Sequence, residues 1–370
     1  MKKTLIALAL ASLSTASMAD VILYGQIKGG VETSFGNKLG KDKNKGSTTQ
    51  IVDYGSRIGF KGHEHLTDNL DAIWQVESKV DIGGGSGRTF GTRDSFIGLK
   101  GGFGTVKVGY QETPVHELNG KLDQWEYDSA AAGLGVFTRG TAANRRATAI
   151  SYETPDLSGF SAKAYYSPSE QDNGENTNMV EVDTNTGDLV ANHKQTAKGI
   201  YGLSASYKNS GFFADVAGVY ARGTKAAVDA GKKGGYQALV QAGYESDKWL
   251  AGLAYQRSQR VDHANPNSVV SVLSAYTGDA DKMNELALSG AYTLNDALTL
   301  KGTFAYGFGI KDSDGDKIAG NGKYYQGIVG ADYALSKRTV VNGQYGYFQY
   351  GKGEDKLKSN VVSVGMKHKF

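Results

Sequence analysis

Cysteine is absent from the chain, and proline occurs only 4 times in 370 residues. The first absence excludes a disulfide framework, thiol catalysis, Cys-ligated zinc and iron–sulfur clusters together. Scarce proline beside 22 Tyr and 13 Phe argues against a disordered chain, which would be richer in proline and poorer in aromatics. An excess of one charge sign is missing too: 41 Lys+Arg face 38 Asp+Glu, a formal net of +3. A nucleic-acid partner needs a concentrated basic excess, so none is expected. No apolar run approaches the roughly 20 residues of a transmembrane helix. Hydrophobic residues make up 39%, below the usual share of about 45–50%, a figure that also counts glycine. What is plentiful is glycine, at 51 residues, and tyrosine, which outnumbers phenylalanine and tryptophan. This composition points to β structure.

Met1-Lys2-Lys3 gives a positive start, Leu5 to Leu13 a short apolar core, and Ser17-Met18-Ala19 a small-residue end. That is the layout of a secretory signal peptide, with cleavage predicted after Ala19. Residues 1–19 are therefore read as an address, and 20–370 as a single exported domain.

The remainder alternates. Val21, Leu23, Gly25, Ile27, Gly29 and Val31 are apolar or small, whereas Tyr24, Gln26, Lys28 and Glu32 fall between them. In 70–81, Ala72, Trp74, Val76 and Ser78 oppose Asp71, Gln75, Glu77, Lys79 and Asp81. In 298–308, Leu298, Leu300, Phe304, Tyr306 and Phe308 oppose Thr299, Lys301, Thr303 and Ala305. A period of two marks strands lying between two different environments.

Sixteen such segments are predicted, near 21–34, 50–62, 70–82, 89–100, 103–111, 146–154, 159–168, 197–208, 211–222, 234–246, 248–260, 284–294, 297–310, 323–335, 338–350 and 358–370. Tight connections such as Gly101-Gly102, Asn209-Ser210, Ser246-Asp247 and Asn295-Asp296 alternate with long polar ones at about 35–49, 112–145, 169–196, 261–283 and 311–322. Strands of ten to thirteen residues, tilted, match the roughly 25 Å apolar band of an outer membrane. The apolar set would face lipid and the charged set water, which is the polarity of a transmembrane β-barrel. The expected fold is all-β: a 16-stranded antiparallel barrel with short periplasmic turns and long extracellular loops. In the last strand, Val362, Val364, Met366, His368 and Phe370 fall on the lipid side, which places an aromatic terminus at the membrane interface.

Several ordered blocks carry a resemblance: Asp20-Val21-Ile22-Leu23-Tyr24-Gly25, Ser56-Arg57-Ile58-Gly59-Phe60-Lys61-Gly62, Ala72-Ile73-Trp74-Gln75-Val76-Glu77, Ser95 to Gly104, and Val364-Gly365-Met366-Lys367-His368-Lys369-Phe370. Together they resemble the trimeric general porins of Gram-negative bacteria, of the neisserial and betaproteobacterial type. The resemblance implies a homotrimer in the outer membrane, in contact with its lipid and lipopolysaccharide. It implies a third long loop folded inward, and a terminal Phe370 read by the outer-membrane assembly machinery. The implied activity is passive diffusion of ions and small hydrophilic solutes, without cofactor or covalent chemistry.

The residues of the third loop agree. Segment 112–145 is the longest gap, and so long a structureless loop is usually functional or disordered. It holds Glu112, Glu117, Asp123, Glu126 and Asp128 together with Leu118, Leu122, Trp125, Leu134, Val136 and Phe137. Such apolar anchors suit burial in the lumen, with carboxylates turned to the pore. Parity places Lys28, Arg57, Lys61, Lys79, Arg93 and Lys107 on the water side, and Arg145 and Arg146 follow the loop. Basic and acidic walls across a narrow gap would set a transverse field and tune selectivity. The resemblance supports Lys79, Arg93, Lys107 and Arg146 as constriction residues. Tyr110 stands where relatives often have another base, which tempers the expected anion preference to a weak one.

Other motifs carry less. Asp312-Ser313-Asp314-Gly315-Asp316 begins like a calcium loop, but Lys317 and Lys323 occupy the positions that need Gly and Glu. His63 and His65 share a strand face without an evident third ligand. Gly83-Gly84-Gly85-Ser86-Gly87 has no following helix and reads as a hairpin loop. His116 and Ser129 make no triad, so no metal site and no catalytic site are expected. A substrate-selective channel, with Tyr24, Tyr165 and Tyr324 facing inward, and a barrel whose loops act in adhesion stand as alternatives.

Overall fold

A strand with one face for lipid and one for water must pair along both edges, because hydrocarbon offers its backbone no other partner. The computed structural model describes residues 20–39, 47–82, 90–125, 146–168, 180–182, 189–191, 199–222, 231–261, 281–318 and 321–370. The expected signal peptide and the glycine run at 83–87 lie outside them. The first half holds β1 (Asp20–Leu39), β2 (Thr48–Asp53), β3 (Arg57–Thr67), β4 (Leu70–Lys79), β5 (Ser95–Gly101), β6 (Gly104–Glu112), the short helix α1 (Pro114–Asn119), β7 (Arg146–Glu153) and β8 (Phe160–Ser167). A small ribbon of β9 (Val180–Val182) and β10 (Leu189–Ala191) follows. Then come β11 (Ile200–Asn209), β12 (Phe212–Arg222), β13 (Gly234–Glu245), β14 (Trp249–Gln259) and β15 (Lys282–Thr293). The chain ends with β16 (Leu298–Lys311), β17 (Tyr324–Ala334), β18 (Thr339–Tyr350) and β19 (Leu357–Lys369).

Neighbouring strands pair antiparallel in chain order, β8 passes directly to β11, and β1 meets β19 to close the ring. β2 and β3 occupy successive levels of one position beside β1, at Gly29–Ser34 and Asp20–Gln26 respectively. The result is a closed barrel of sixteen positions. Short turns gather at one end with both barrel termini, and the long connections gather at the other. Those at 80–94, 223–233 and 351–356 belong to the long-loop end, beyond the five expected there.

Two expected strands need correction. The segment 50–62 is broken at Tyr54-Gly55-Ser56, where Gly55 takes a φ of +88°. Ser56 patches the gap: its hydroxyl accepts from Lys28 N at 2.9 Å and donates to Asp53 Oδ1 at 2.6 Å. The expected strand at 89–100 starts only at Ser95. Before it, Arg93 N donates to Glu77 O at 3.0 Å, and Lys79 N donates to Thr92 Oγ1 at 3.0 Å. Side-chain bonds there replace a regular ladder.

The lipid face follows the alternation. Leu203, Val216, Val240, Leu253, Leu288 and Val329 are exposed along the middle of the barrel. Toward the long loops this band is edged by Tyr166, Tyr201, Tyr220, Tyr306 and Tyr325, with the Tyr166 and Tyr201 rings 5.1 Å apart. Toward the short turns it is edged by Phe212, Tyr244, Trp249 and Tyr292, the last two 4.2 Å apart. These are the two aromatic girdles of a membrane barrel. Phe370 belongs to the second, outward-facing as expected, and exchanges backbone hydrogen bonds of 3.1 Å with Gly25.

The break at Tyr54 serves the closing seam. Its ring lies over Gly30 of β1 and Gly365 of β19, where a Cβ would come within 2.5 and 2.8 Å of its Cε2. Its hydroxyl shares a 2.5 Å hydrogen bond with Ser363, so one side chain spans from β2 across β1 to β19. Truncating this fully buried ring with Tyr54→Ala is expected to cost about 3 kcal/mol. The expected readout is a lower urea midpoint for the refolded barrel in liposomes, and an unchanged midpoint would refute the seam role.

Candidate permeation site

The loop after β6 turns inward at once. Glu112 is the last residue of β6, Pro114 opens α1, and the segment to Trp125 runs along the inner wall. The wall is relieved where the loop passes: a Cβ on Gly202 would meet Pro114 Cδ at 2.9 Å, and one on Gly252 would meet Leu122 Cδ2 at 2.5 Å. Glycine is therefore required on β11 and β14 by the loop's approach, apart from backbone conformation.

Polar contacts fix the path strand by strand. Lys121 Nζ reaches Asp215 of β12 at 2.7 and 2.8 Å. Gln241 of β13 donates to Leu118 O and to Asp215 Oδ2, each at 2.9 Å. Asn119 donates to Gln256 of β14 at 3.0 Å, Gln256 donates to Glu285 of β15 at 3.0 Å, and Tyr324 of β17 donates to Glu285 at 2.9 Å. Farther round, Trp125 Nε1 donates to Thr303 of β16 at 2.9 Å. Lys301 caps the same indole, 4.9 Å from the ring centre, while donating to Gln124 O at 3.0 Å and Asp332 Oδ2 at 2.9 Å. Trp125 and Leu122 are fully buried. Burying such an indole stabilises the docked loop by several kcal/mol. The expectation of an inward third loop thus has a described geometry as far as Trp125.

The opposite wall carries the basic side chains. Arg57 and Lys79 face each other across β3 and β4, Gly59 and Glu77 form the next inward pair, and Lys61 and Gln75 the one after it. Glu77 sits among them: Arg93 pairs with it, Arg57 lies 3.7 Å away, and Tyr24 OH donates to it at 3.1 Å. Lys28 is inward and buried on β1. Lys107 lies 4.9 Å from the Phe96 ring centre, and Lys61 lies 5.3 Å from that of Tyr24. Neither Lys61, Lys79 nor Lys107 has a carboxylate partner among the described residues.

The acids are placed otherwise than a simple two-wall picture expects. Glu112 pairs with Arg146 on the adjoining strand, and Arg146 also donates to Asp94 at 2.8 Å. His116 lies 3.6 Å from Glu112. Glu117 accepts from Lys163 of β8 at 2.6 Å, and Asp123 accepts from Trp125 N at 3.1 Å. Arg146, only 6% exposed, is thus a tie at the root of the loop. Glu126, Asp128 and Arg145 lie outside the described residues. Sequence reading missed Asp94, Lys121, Asp215, Glu285 and Lys301. Inward parity marks Lys301, but nothing in spacing couples it to a loop 176 positions earlier. Tyr165 and Tyr324 face inward as expected, both buried, at 4% and 0% exposure, and Tyr324 stacks on Phe348 with ring centres 5.7 Å apart. His65 is bonded to Asp71, and Asp312 Oδ1 accepts from Asp314 N and Asp316 N at 3.1 and 2.8 Å. That carboxylate oxygen is thereby committed to a turn.

Comparison with known proteins extends these observations. A family profile described as Gram-negative porin matches residues 4–353. The chain is 38% identical to the major outer membrane protein P.IB of Neisseria sicca and 32% identical to that of Neisseria gonorrhoeae, each over the full length of both chains. Among solved structures, the anion-selective porin of Comamonas acidovorans superposes with a TM-score of 0.66 at 20% identity, covering 95% of this chain and 100% of that one. Salmonella typhi OmpF gives 0.66 at 18% identity, covering 95% of this chain and 98% of that one. At such identities these likenesses concern the fold.

Removing the indole with Trp125→Ala is expected to undock the far part of the loop while leaving the barrel intact. Single-channel conductance in planar bilayers should rise, or become noisy as the loop moves. A quiet channel of wild-type conductance would contradict the docking role.

Proposed function

This chain belongs to the Gram-negative porin family, and from that premise we propose that its own interior charges give the channel a weak preference for anions. The protein is an outer-membrane barrel enclosing a water-filled path for passive diffusion. Its family consists of channels.

One observation carries the preference. The acids Glu77, Asp94, Glu112, Glu117, Asp215 and Asp332 are engaged with Arg or Lys partners, whereas Lys61, Lys79 and Lys107 on the lumen wall have no carboxylate partner among the described residues. Arg57, directly opposite Lys79, has Glu77 at 3.7 Å, so in that pair Lys79 is the side chain without a carboxylate among the described residues. Lys28, Arg57 and Arg93 extend the same wall. Glu126 and Asp128, which follow Trp125 in sequence, and Arg145 beside Arg146 complete the proposed constriction set. The porin of Comamonas acidovorans, similar in fold, is anion-selective, which fits this reading.

Four further assignments complete the proposal. Residues 1–19 are a signal peptide removed after Ala19. The folded barrel is a homotrimer, as OmpT of Vibrio cholerae, whose fold is similar, occurs in a trimer form. Phe370 is the assembly signal read by the outer-membrane insertion machinery. Lipid and lipopolysaccharide surround the exposed apolar band.

Reversal potentials across a potassium chloride gradient in planar bilayers test the sign. The expected chloride-to-potassium permeability ratio exceeds one for the wild type and falls below one when Lys61, Lys79 and Lys107 are all replaced by Glu. Since screening shortens to about 3 Å at 1 M salt, the preference should fade there. Cation preference in the wild type at low salt would overturn the proposal.

A further inference from the structure

His63 and His65, alternate residues of β3, project from one face of the sheet, on the lumen side at the short-turn end. Along the sequence no third ligand stands beside them. The register of β3 against β4 supplies a partner of another kind. Asp71 lies directly opposite His65, and the two side chains meet at 2.5 Å, Nδ1 to Oδ1. An ionised carboxylate only accepts, so the imidazole is the donor and Nδ1 carries the hydrogen. In the neutral ring Nε2 then keeps its lone pair. A carboxylate holding Nδ1–H is the arrangement that orients metal-ligating histidines and raises their basicity.

His63 stands beside it, in edge contact with the His65 ring and hydrogen-bonded to no other described residue. The ring centres are 5.3 Å apart, with planes at 79°. Two imidazoles joined to one ion by bonds of about 2.1 Å have that separation at roughly a tetrahedral angle. Both rings line a recess of about 460 Å³, walled also by Ile22, Ile73 and Phe96, which leaves room for water on the ion. The His65 side chain is 71% exposed, so ions reach it from the aqueous end of the lumen.

Nearby cations are turned away or offset. Lys61 leans over the Tyr24 ring, 5.3 Å from its centre, and Tyr24 lies opposite Gly59, on the far side of Lys61 from His63. Lys100 faces Asp71 across β4 and β5, so the carboxylate stands between it and His65. Among the described residues no three His, Asp or Glu side chains gather into a closed metal cage, which leaves an open pair.

We propose that His63 and His65 form a two-histidine chelate for a divalent transition-metal ion, copper(II) or zinc(II), at the short-turn mouth of the channel. Asp71 is the positioning residue for His65, and water completes the coordination. Imidazole nitrogen selects this class of ion, because calcium and magnesium take oxygen ligands. The proposal needs only the barrel and its register, and is independent of the sign of ion selectivity.

Untagged, refolded protein tests it, titrated with zinc chloride in a calorimeter and with copper(II) chloride under electron paramagnetic resonance. Wild type should take up one ion per chain in a saturable step, with two nitrogen ligands in the copper spectrum. His63→Gln and His65→Gln should each weaken zinc binding at least about ten-fold and leave one histidine nitrogen on copper. The other four of the six histidines remain in every variant and set the background. Asp71→Ala should weaken binding roughly ten-fold while keeping the two-nitrogen spectrum, which separates positioning from ligation. Heat-modifiable gel mobility and channel insertion in planar bilayers establish that each variant is folded. Wild-type zinc affinity in the folded double variant His63→Gln/His65→Gln would overturn the proposal, as would a wild-type copper spectrum without two nitrogens. Undiminished affinity in Asp71→Ala would overturn the positioning role.

Discussion

Closure of the sheet between β1 and β19 is the constraint on which the rest of the molecule depends. In hydrocarbon, an open edge would leave a row of peptide groups unbonded at several kcal/mol each, so an isolated sheet of these strands could not span a membrane. Pairing from Gln26↔Lys369 to Leu39↔Leu357 removes the edge. Once the ring is closed, the period-two alternation has only one consequence: apolar residues face lipid and polar residues face an enclosed aqueous space. Tyr54, laid over Gly30 and Gly365, reinforces the seam from inside, and Ser56 repairs the backbone break that lets it do so.

A closed ring also gives the third loop a surface to lie on. Its apolar residues Leu122 and Trp125 find cover against the far wall, and its polar groups are spent on Asp215, Gln241, Gln256 and Lys301. The loop is therefore held by a succession of independent contacts, from α1 on one side to β16 on the other. What is left over on the wall of β3, β4 and β6 is lysines without a carboxylate partner among the described residues, and the proposed selectivity rests on them.

Much of this was legible in the sequence because alternation reports facing directly. Tyr24, Lys28, Glu77, Lys301 and the outward run from Val362 to Phe370 all fall on the expected side. Height and partnership were less legible. Nothing local distinguishes Tyr54-Gly55-Ser56 from a continuous strand, since the reason for the break is Ser363, 309 positions later. Leu122 and Trp125 signalled that the loop needs cover, but its receiving groove is made of glycines, which carry no side-chain signature. Arg146 was legible only as following the loop beside Arg145, and its engagement with Asp94 and Glu112 depends on a register between strands that spacing does not encode. The assignment of Glu112 and Glu117 to a wall facing the bases fails to anticipate that each has an arginine or lysine close at hand.

The account turns on the loop lying inside the barrel, and the absence of native cysteine allows that to be tested on a clean background. The most direct measurement is oxidation of the double variant Leu122→Cys/Gly252→Cys in intact outer membranes, followed by thiol mapping. Leu122 packs within 2.5 Å of a Cβ on Gly252, close enough for a bridge with little backbone movement. An intramolecular disulfide in nearly all folded chains, with single-channel conductance retained, is the predicted result. A pair that stays reduced while Leu122→Cys reacts freely with a bulky, membrane-impermeant maleimide would contradict it, because the loop would then stand outside the lumen.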